Sequence, residues 1–278
     1  MKNLSVRKII LTLVLAVLNV VSNLIANLAV EGGWRIIWLV LGIGALAAIA
    51  YILIRNVLNP PHVSVQFHQA TPLRPEEYRR HARKGLILLL SDFKPNPGSP
   101  ANNLAETERQ RLAKNLDFES LHLPDSNYNP AIIAVTAHAS NLSHCWIITT
   151  SNTSDRNQSL LYAPVLAAYL KTICGACDFH IGNGYIIPAQ DDDALATKTY
   201  AVVNTIYQEA RERFHLQDQD IVADFTGTSK SMSMGMILAC LDRRRILQYI
   251  GSHYDSAGNR QEGSFPILFT FVVKDIEE

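Results

Sequence analysis

Asp220-Ile221-Val222-Ala223-Asp224-Phe225-Thr226-Gly227-Thr228-Ser229-Lys230-Ser231-Met232 is the stretch whose reading decides the fold. Asp220 to Asp224 is an aliphatic strand between two carboxylates, and a helix is expected over Ser231–Arg243, with one glycine in the turn that joins them. Such a turn collects free main-chain N–H groups, the positive end of a helix, several hydroxyls and one lysine, which together are what a phosphate group requires. The GxxxxGK[ST] spacing of a nucleotide P-loop is absent. The competing reading is an ordinary strand-to-helix turn in which a Thr or Ser caps the helix.

Working outward, strands and helices alternate on both sides. Downstream lie the strands Ile246–Ile250 and Ile267–Val273. Upstream, Leu195–Phe214 reads as a long amphipathic helix, Tyr185–Ile187 as a short strand, Leu160–Ile173 as a helix and Cys145–Thr149 as a strand. Asn129-Pro130 reads as an N-cap and first helical residue opening a helix to about Ala139, and Leu104–Leu116 as a helix before it. Leu86–Leu90 is a continuous aliphatic run, the pattern of a parallel strand buried on both faces. Alternation of this kind implies an α/β fold with a Rossmann-like, doubly wound and mostly parallel sheet. In such sheets ligands sit beyond the carboxyl ends of the strands, near the point where the strand order reverses. The candidate binding residues are therefore Ser91 and Asp92 after one strand, Thr149, Thr150, Ser151 and Asn152 after another, and Thr226, Gly227, Thr228, Ser229, Lys230 and Ser231 after the third.

The N-terminal fifth is of a different character. Two apolar runs, at about residues 9–30 and 34–54, are each long enough to cross about 30 Å of hydrocarbon, and Glu31-Gly32-Gly33 separates them. Two transmembrane helices in a tight hairpin are expected. A cleaved signal peptide is the weaker reading, because the first run exceeds a usual apolar core, shows no clear small-x-small cleavage site and is followed at once by a second run. Lys2, Arg7 and Lys8 precede the hairpin, Arg55 and then Arg74, Arg79, Arg80, Arg83 and Lys84 follow it, and only Glu31 and Arg35 lie around the turn. The excess of basic residues places both termini in the cytoplasm. Asn19, Asn23 and Asn27 recur every four residues on one helical face. They are either interhelical glue or possible pore-lining groups, since amides in lipid seek a partner or water. Gly44 and Ala48 make a small-xxx-small pair suited to close helix packing. The organisation is thus a membrane hairpin over 1–55, a linker over 56–84 holding a short strand at Val63–Phe67 and a charged helix at Pro75–Arg83, and a cytoplasmic domain over 85–278.

Composition narrows the function. The chain has 25 basic and 25 acidic residues among 278, and beyond the apolar runs it is slightly acidic, which argues against direct binding of DNA or RNA polymers by a basic surface. Four cysteines exclude a disulfide scaffold and fit a reducing compartment. Cys174 and Cys177 form a lone CxxC, read as two packed thiols at a helix end. Asp191-Asp192-Asp193 precedes a helix and suits its dipole better than a metal. Gly182-Asn183-Gly184 is a lone and weak GxG. His138 and His144 flank a helix–strand turn and are read as surface or internally satisfied. No GxSxG, HExxH or other catalytic signature is present, so no catalytic residue, metal or resident cofactor is expected and the chain is read as a non-enzyme.

Asp224 to Met232, the small-residue helix Ser233-Met234-Gly235-Met236 and the strand Leu247–Ile250 resemble the D-x-T-G-G-T-K-x-M signature of CARF domains, the CRISPR-associated Rossmann folds. The resemblance covers roughly residues 85–275, and it departs from the pattern where Thr228 replaces the second glycine and Ser229 the following threonine. It implies a homodimeric sensor that binds a cyclic oligoadenylate, most readily cyclic tetra-adenylate, across its two-fold axis, with Thr226 to Lys230, Ser91 and Thr150 at the ligand. With the hairpin, the chain is similar to membrane-anchored CARF effectors of type III CRISPR antiviral defence, which implies action on the integrity or permeability of a bacterial inner membrane; because a dimer supplies only four membrane helices, a tetramer or larger assembly is expected. The rivals are a SAVED-type two-span effector of a cyclic-oligonucleotide antiphage system and a membrane-anchored hydrolase with ring-nuclease activity.

Overall fold

The computed structural model describes residues 44, 62–67, 71–151, 159–188, 192–241, 245–254 and 260–276. Both apolar runs apart from Gly44, the Asn19, Asn23 and Asn27 face, Asn152 and Asp191 lie outside them. Among the described residues no helix is long and apolar enough to cross a membrane. The chain divides into two compact units, residues 1–64 with 274–278 and residues 65–273. The larger unit carries the sheet and the candidate site.

The elements in chain order are β1 (His62–Phe67), β2 (Thr71–Pro72), α1 (Tyr78–His81), β3 (Gly85–Leu89), α2 (Glu106–Lys114), α3 (Asn129–His138), β4 (His144–Ser151), α4 (Ser159–Ile173), β5 (Asp178–His180), β6 (Ile186–Pro188), α5 (Asp192–Phe214), β7 (Ile221–Asp224), α6 (Lys230–Ala239), β8 (Ile246–Tyr254) and β9 (Arg260–Ile276). The fold is α/β, with a mixed and mostly parallel sheet in the order β1-β9-β8-β7-β3-β4-β5. β3 lies parallel to β4 and β7, β4 to β5 and β6, and β7 to β8, while β9 runs antiparallel to β8 and β2. From β3 the chain builds one way through β4 and β5, then returns to build the other way through β7 and β8. That is the Rossmann-like order, and its reversal falls between β3 and β7.

Every residue of β3 is buried, because both faces of the sheet are covered. Leu86, Leu88 and Leu90 pack with Leu112, Val135, Tyr162 and Leu166 of α2, α3 and α4. Ile87 and Leu89, pointing the other way, pack with Val203, Ile206 and Tyr207 of α5 and Met232 and Met236 of α6. The alternation of a strand's side chains sends each set to its own core. α5 and α6 pack closely against each other. A Cβ built on Gly235 would collide with the Ala196 carbonyl oxygen and stand 2.8 Å from Thr199 Cβ, so the helices meet backbone to backbone.

Several sequence expectations need correction. Asn129 is the first helical residue rather than the N-cap. Tyr128 precedes it in the cap position without a side-chain cap, and Pro130 sits one place further in. α6 ends at Ala239, short of Arg243. The charged segment Pro75–Arg83 is a 3-10 turn, Pro75–Glu77, followed by one α-turn. β2 and β5, two and three residues long, carry too little pattern to be read in advance. β8 and β9 run well past their expected ends.

Candidate functional site

The carboxyl ends of β3 and β7 meet at the reversal, with Leu88 opposite Asp224 in register. After β7 the chain turns through Thr226 and Gly227, the latter at φ +77°, a conformation that costs a side-chain-bearing residue. Asp224 is buried beneath the turn, and its Oδ1 accepts the Thr226 N–H at 2.8 Å. Thr226 Oγ1 accepts the Ile250 N–H from β8 at 2.8 Å, and the Phe225 N–H donates to the Gln248 carbonyl at 3.2 Å. Ser229 is the N-cap of α6, its Oγ accepting the Met232 N–H at 3.3 Å. Thr228 donates its hydroxyl to Met232 Sδ at 3.3 Å. These bonds consume much of the loop's side-chain polarity. What they leave is main chain and charge: the N–H groups of Gly227, Ser229 and Lys230 bond to no described residue, and the exposed Lys230 has no ion-pair partner among the described residues. A turn that offers main-chain donors and one cation at a helix start is suited to an anion.

Across the reversal stands the loop after β3. Its organiser is Asn127, which the sequence reading did not single out. Asn127 Nδ2 donates to Ser91 Oγ at 2.9 Å and to the Asp92 carbonyl at 2.7 Å, while its Oδ1 accepts the Lys94 N–H at 2.7 Å. The Tyr128 hydroxyl adds a bond to the Ser91 carbonyl at 3.1 Å. Asn127 also lies near the opposite loop, its carbonyl oxygen 3.8 Å from where a Gly227 Cβ would be. Ser91 Oγ, accepting from Asn127, keeps its proton to donate. Asp92 points elsewhere. Burial raises its pKa, and this is opposed by a hydrogen bond from the Ser159 N–H and by the charge of Lys94, so its carboxyl serves the start of α4. An asparagine three places before a proline looks like any loop residue in sequence, and only the fold shows it bridging two loops.

The third predicted stretch stands one strand further along. Thr149 is fully buried and its hydroxyl has no hydrogen-bond partner among the described residues. The Thr150 N–H donates to Ser159 Oγ at 2.8 Å, with the two hydroxyls 3.2 Å apart. Ser151 closes β4 opposite Pro188. The structure thus brings the Ser91–Asn127 loop beside Gly227, with Thr226, Ser229 and Lys230 in the same turn as that glycine. Thr149, Thr150 and Ser151 stand at the end of the adjacent strand.

Behind the turn runs a buried polar chain. Asp224 Oδ2 accepts from Gln248 Nε2 at 2.8 Å, Gln248 Oε1 lies 2.9 Å from His138 Nε2, and the Arg83 N–H donates to His138 Nδ1 at 3.2 Å. A main-chain N–H can only donate, so Nδ1 is bare and Nε2 carries the proton. Burial lowers His138 from the usual histidine value to about 4, with the Gln248 bond opposing and the charges of Arg83 and His81 assisting, so the ring is neutral. Burial raises Asp224 to about 6 against the pull of its Gln248 and Thr226 bonds.

The remaining candidates resolve simply. Cys174 and Cys177 are buried free thiols, and burial raises Cys177 to about 12, which leaves it a poor nucleophile. His144 pairs with His180 at 3.1 Å beside Trp146 and Phe214. Among the described residues no group of three or more His, Cys, Asp and Glu is placed to hold a metal ion. No protein-family model matches the chain, and no curated protein matches it.

Proposed function

We propose that the chain is a membrane-anchored sensor and effector that binds a cyclic oligoadenylate, cyclic tetra-adenylate by preference, at the crevice between the β3 and β7 loops, as the CARF resemblance implies. The observation that carries this reading is the Gly227 turn beside the Ser91–Asn127 loop, whose main-chain N–H groups at Gly227, Ser229 and Lys230 bond to no described residue and whose Lys230 has no ion-pair partner among the described residues. A phosphodiester would take the N–H groups of Gly227, Ser229 and Lys230 and the Lys230 ammonium, and Ser91 would donate its free hydroxyl proton. The protein acts on its ligand by binding rather than by chemistry.

The assembly is a homodimer through this domain. Met234 and Leu238 on α6 and Tyr200 on α5 are 53%, 45% and 47% exposed, an apolar set around the α5–α6 contact and next to Lys230. A second copy is the occupant that would cover it and bring a second Lys230 to a two-fold ligand. The N-terminal hairpin then carries the output to the bilayer, with both termini cytoplasmic, in antiviral defence.

The test is calorimetric titration of the full-length protein in detergent with cyclic tri-, tetra- and hexa-adenylate. Binding of one ring per two chains supports the reading. Absence of binding to all three overturns it.

A further inference from the structure

We propose that Gln248 and His138 form a two-setting relay that ties the Asp224–Gly227 turn to the main-chain N–H of Arg83. The proposal concerns regulation of the site described above, and its signalling role rests on the reading of that site as the ligand loop. The bonds themselves do not depend on it.

Each bond in the chain has a direction. The Thr226 N–H donates to Asp224 Oδ1, Gln248 Nε2 donates to Asp224 Oδ2, His138 Nε2–H donates to Gln248 Oε1, and the Arg83 N–H donates to His138 Nδ1. The two ends are main-chain donors that cannot reverse. The two middle members can. A carboxamide turned over exchanges acceptor for donor, and a neutral imidazole can carry its proton on either nitrogen. With an acceptor at both Asp224 oxygens, one setting alone satisfies every group. A donor at Asp224 Oδ2 would force Gln248 to turn over and present its amide to His138 Nε2. His138 would then hold its proton on Nδ1, facing the Arg83 N–H, and that bond would be lost. Gln248 and His138 are fully buried, with no water-exposed escape for an unmatched donor, so the change passes along the chain rather than dissipating. It is an element with two discrete arrangements, as coupling between distant points requires.

The far end is well placed to receive a signal. Arg83 follows α1, which packs on α3, and the adjoining main chain is pinned where the segment enters β3: Asn141 Nδ2 donates to the Ala82 carbonyl at 3.2 Å and the Lys84 N–H donates to the Asp220 carbonyl at 3.1 Å. Residues 78–84 lead directly into β3, the strand at the reversal of the sheet. Gln248 and His138 are accordingly positioning residues.

The test is Asp224→Asn, nearly isosteric but with an amide where one oxygen was. Thr226 keeps its acceptor, and the new NH2 group faces Gln248. Nitrogen NMR of histidine-labelled full-length protein is expected to show His138 as the Nε2–H tautomer in the wild type and as the Nδ1–H tautomer in Asp224→Asn, although the two residues do not touch. Exchange of the Arg83 amide should become at least about tenfold faster in the variant, as expected for loss of a buried bond. Gln248→Glu, neutral between His138 and Asp224, preserves every bond direction and should leave the tautomer unchanged and Arg83 exchange within about twofold. An unchanged His138 tautomer in folded Asp224→Asn overturns the relay. So does a wild-type spectrum showing the Nδ1–H form or a mixture, which holds even if the variant fails to fold. All of this is read without ligand, so failure to bind a cyclic oligoadenylate would remove the ligand reading and leave the relay to stand or fall separately.

Discussion

Lys230 bears the charge of the proposed site, and its ammonium bonds to no described residue, so removing it should cost ligand contact without costing structure. Lys230→Ala is expected to weaken cyclic tetra-adenylate binding by about 1.5–3 kcal/mol per contact, read by calorimetry, with an unchanged melting temperature. Unchanged affinity would move the site elsewhere. Gly227→Val is the opposite case: at φ +77° a β-branched residue is strained, and a loss of about 1–3 kcal/mol in urea unfolding is expected although nothing crowds the position. Asp224 and His138 should answer acid in opposite senses. Asp224, raised to about 6, holds its proton more tightly when folded, so it adds stability at low pH that is lost as pH rises from about 4 to about 6. His138, lowered to about 4, resists protonation when folded, so its contribution is lost as pH falls from about 6.5 to about 4. The two nearly cancel in the wild type. In Asp224→Asn the cancelling partner is gone, and the variant should lose about 3 kcal/mol more than the wild type between those limits, measured by denaturant titration at each pH. Equal acid sensitivity in the two proteins would show that Asp224 titrates normally.

Among the elements, the α5–α6 pair is the least forgiving. A methyl group on Gly235 has no room against the Ala196 carbonyl, so Gly235→Ala should force the helices apart and cost about 1–3 kcal/mol by overpacking. A urea midpoint equal to that of the wild type would contradict the backbone contact. This position also shows why some of the molecule was legible in its sequence and some was not. The aliphatic run Leu86–Leu90 announces a strand buried on both faces because burial is a property of the run itself, and β3 has that character. The turn at Gly227 is legible for a similar reason, since glycine, hydroxyls and lysine act within a few residues. Asn127, Gln248 and His138 are not legible: their partners lie 36, 24 and 110 residues away, and no local pattern records such pairings. The bond from the Ser159 N–H to Asp92 is not legible for the same cause, because it depends on where α4 begins.

At the scale of the whole molecule, the proposed output can be tested directly. If Asn19, Asn23 and Asn27 line a conducting assembly, cyclic tetra-adenylate should depolarise vesicles containing the full-length protein, and replacing all three by leucine should abolish the response while leaving affinity in place. A fully active triple variant would make the stripe packing glue. Ligand binding can drive such a change only if the ring prefers one arrangement of the protein over another. β9 is the longest described strand of the sheet. This strand is 17 residues long, far longer than any parallel strand in the sheet, and it pairs with β1, β2 and β8. β1, the described strand nearest the N-terminal runs, sits at the sheet's edge with β9 as its neighbour. Across the hydrogen bonds of the sheet, β9 and β8 separate β1 from β7. If the N-terminal runs are held in a bilayer, as proposed, tension passed to β1 would be spread along β9's long ladder of hydrogen bonds, and the last strand would act as a shock absorber for the sheet.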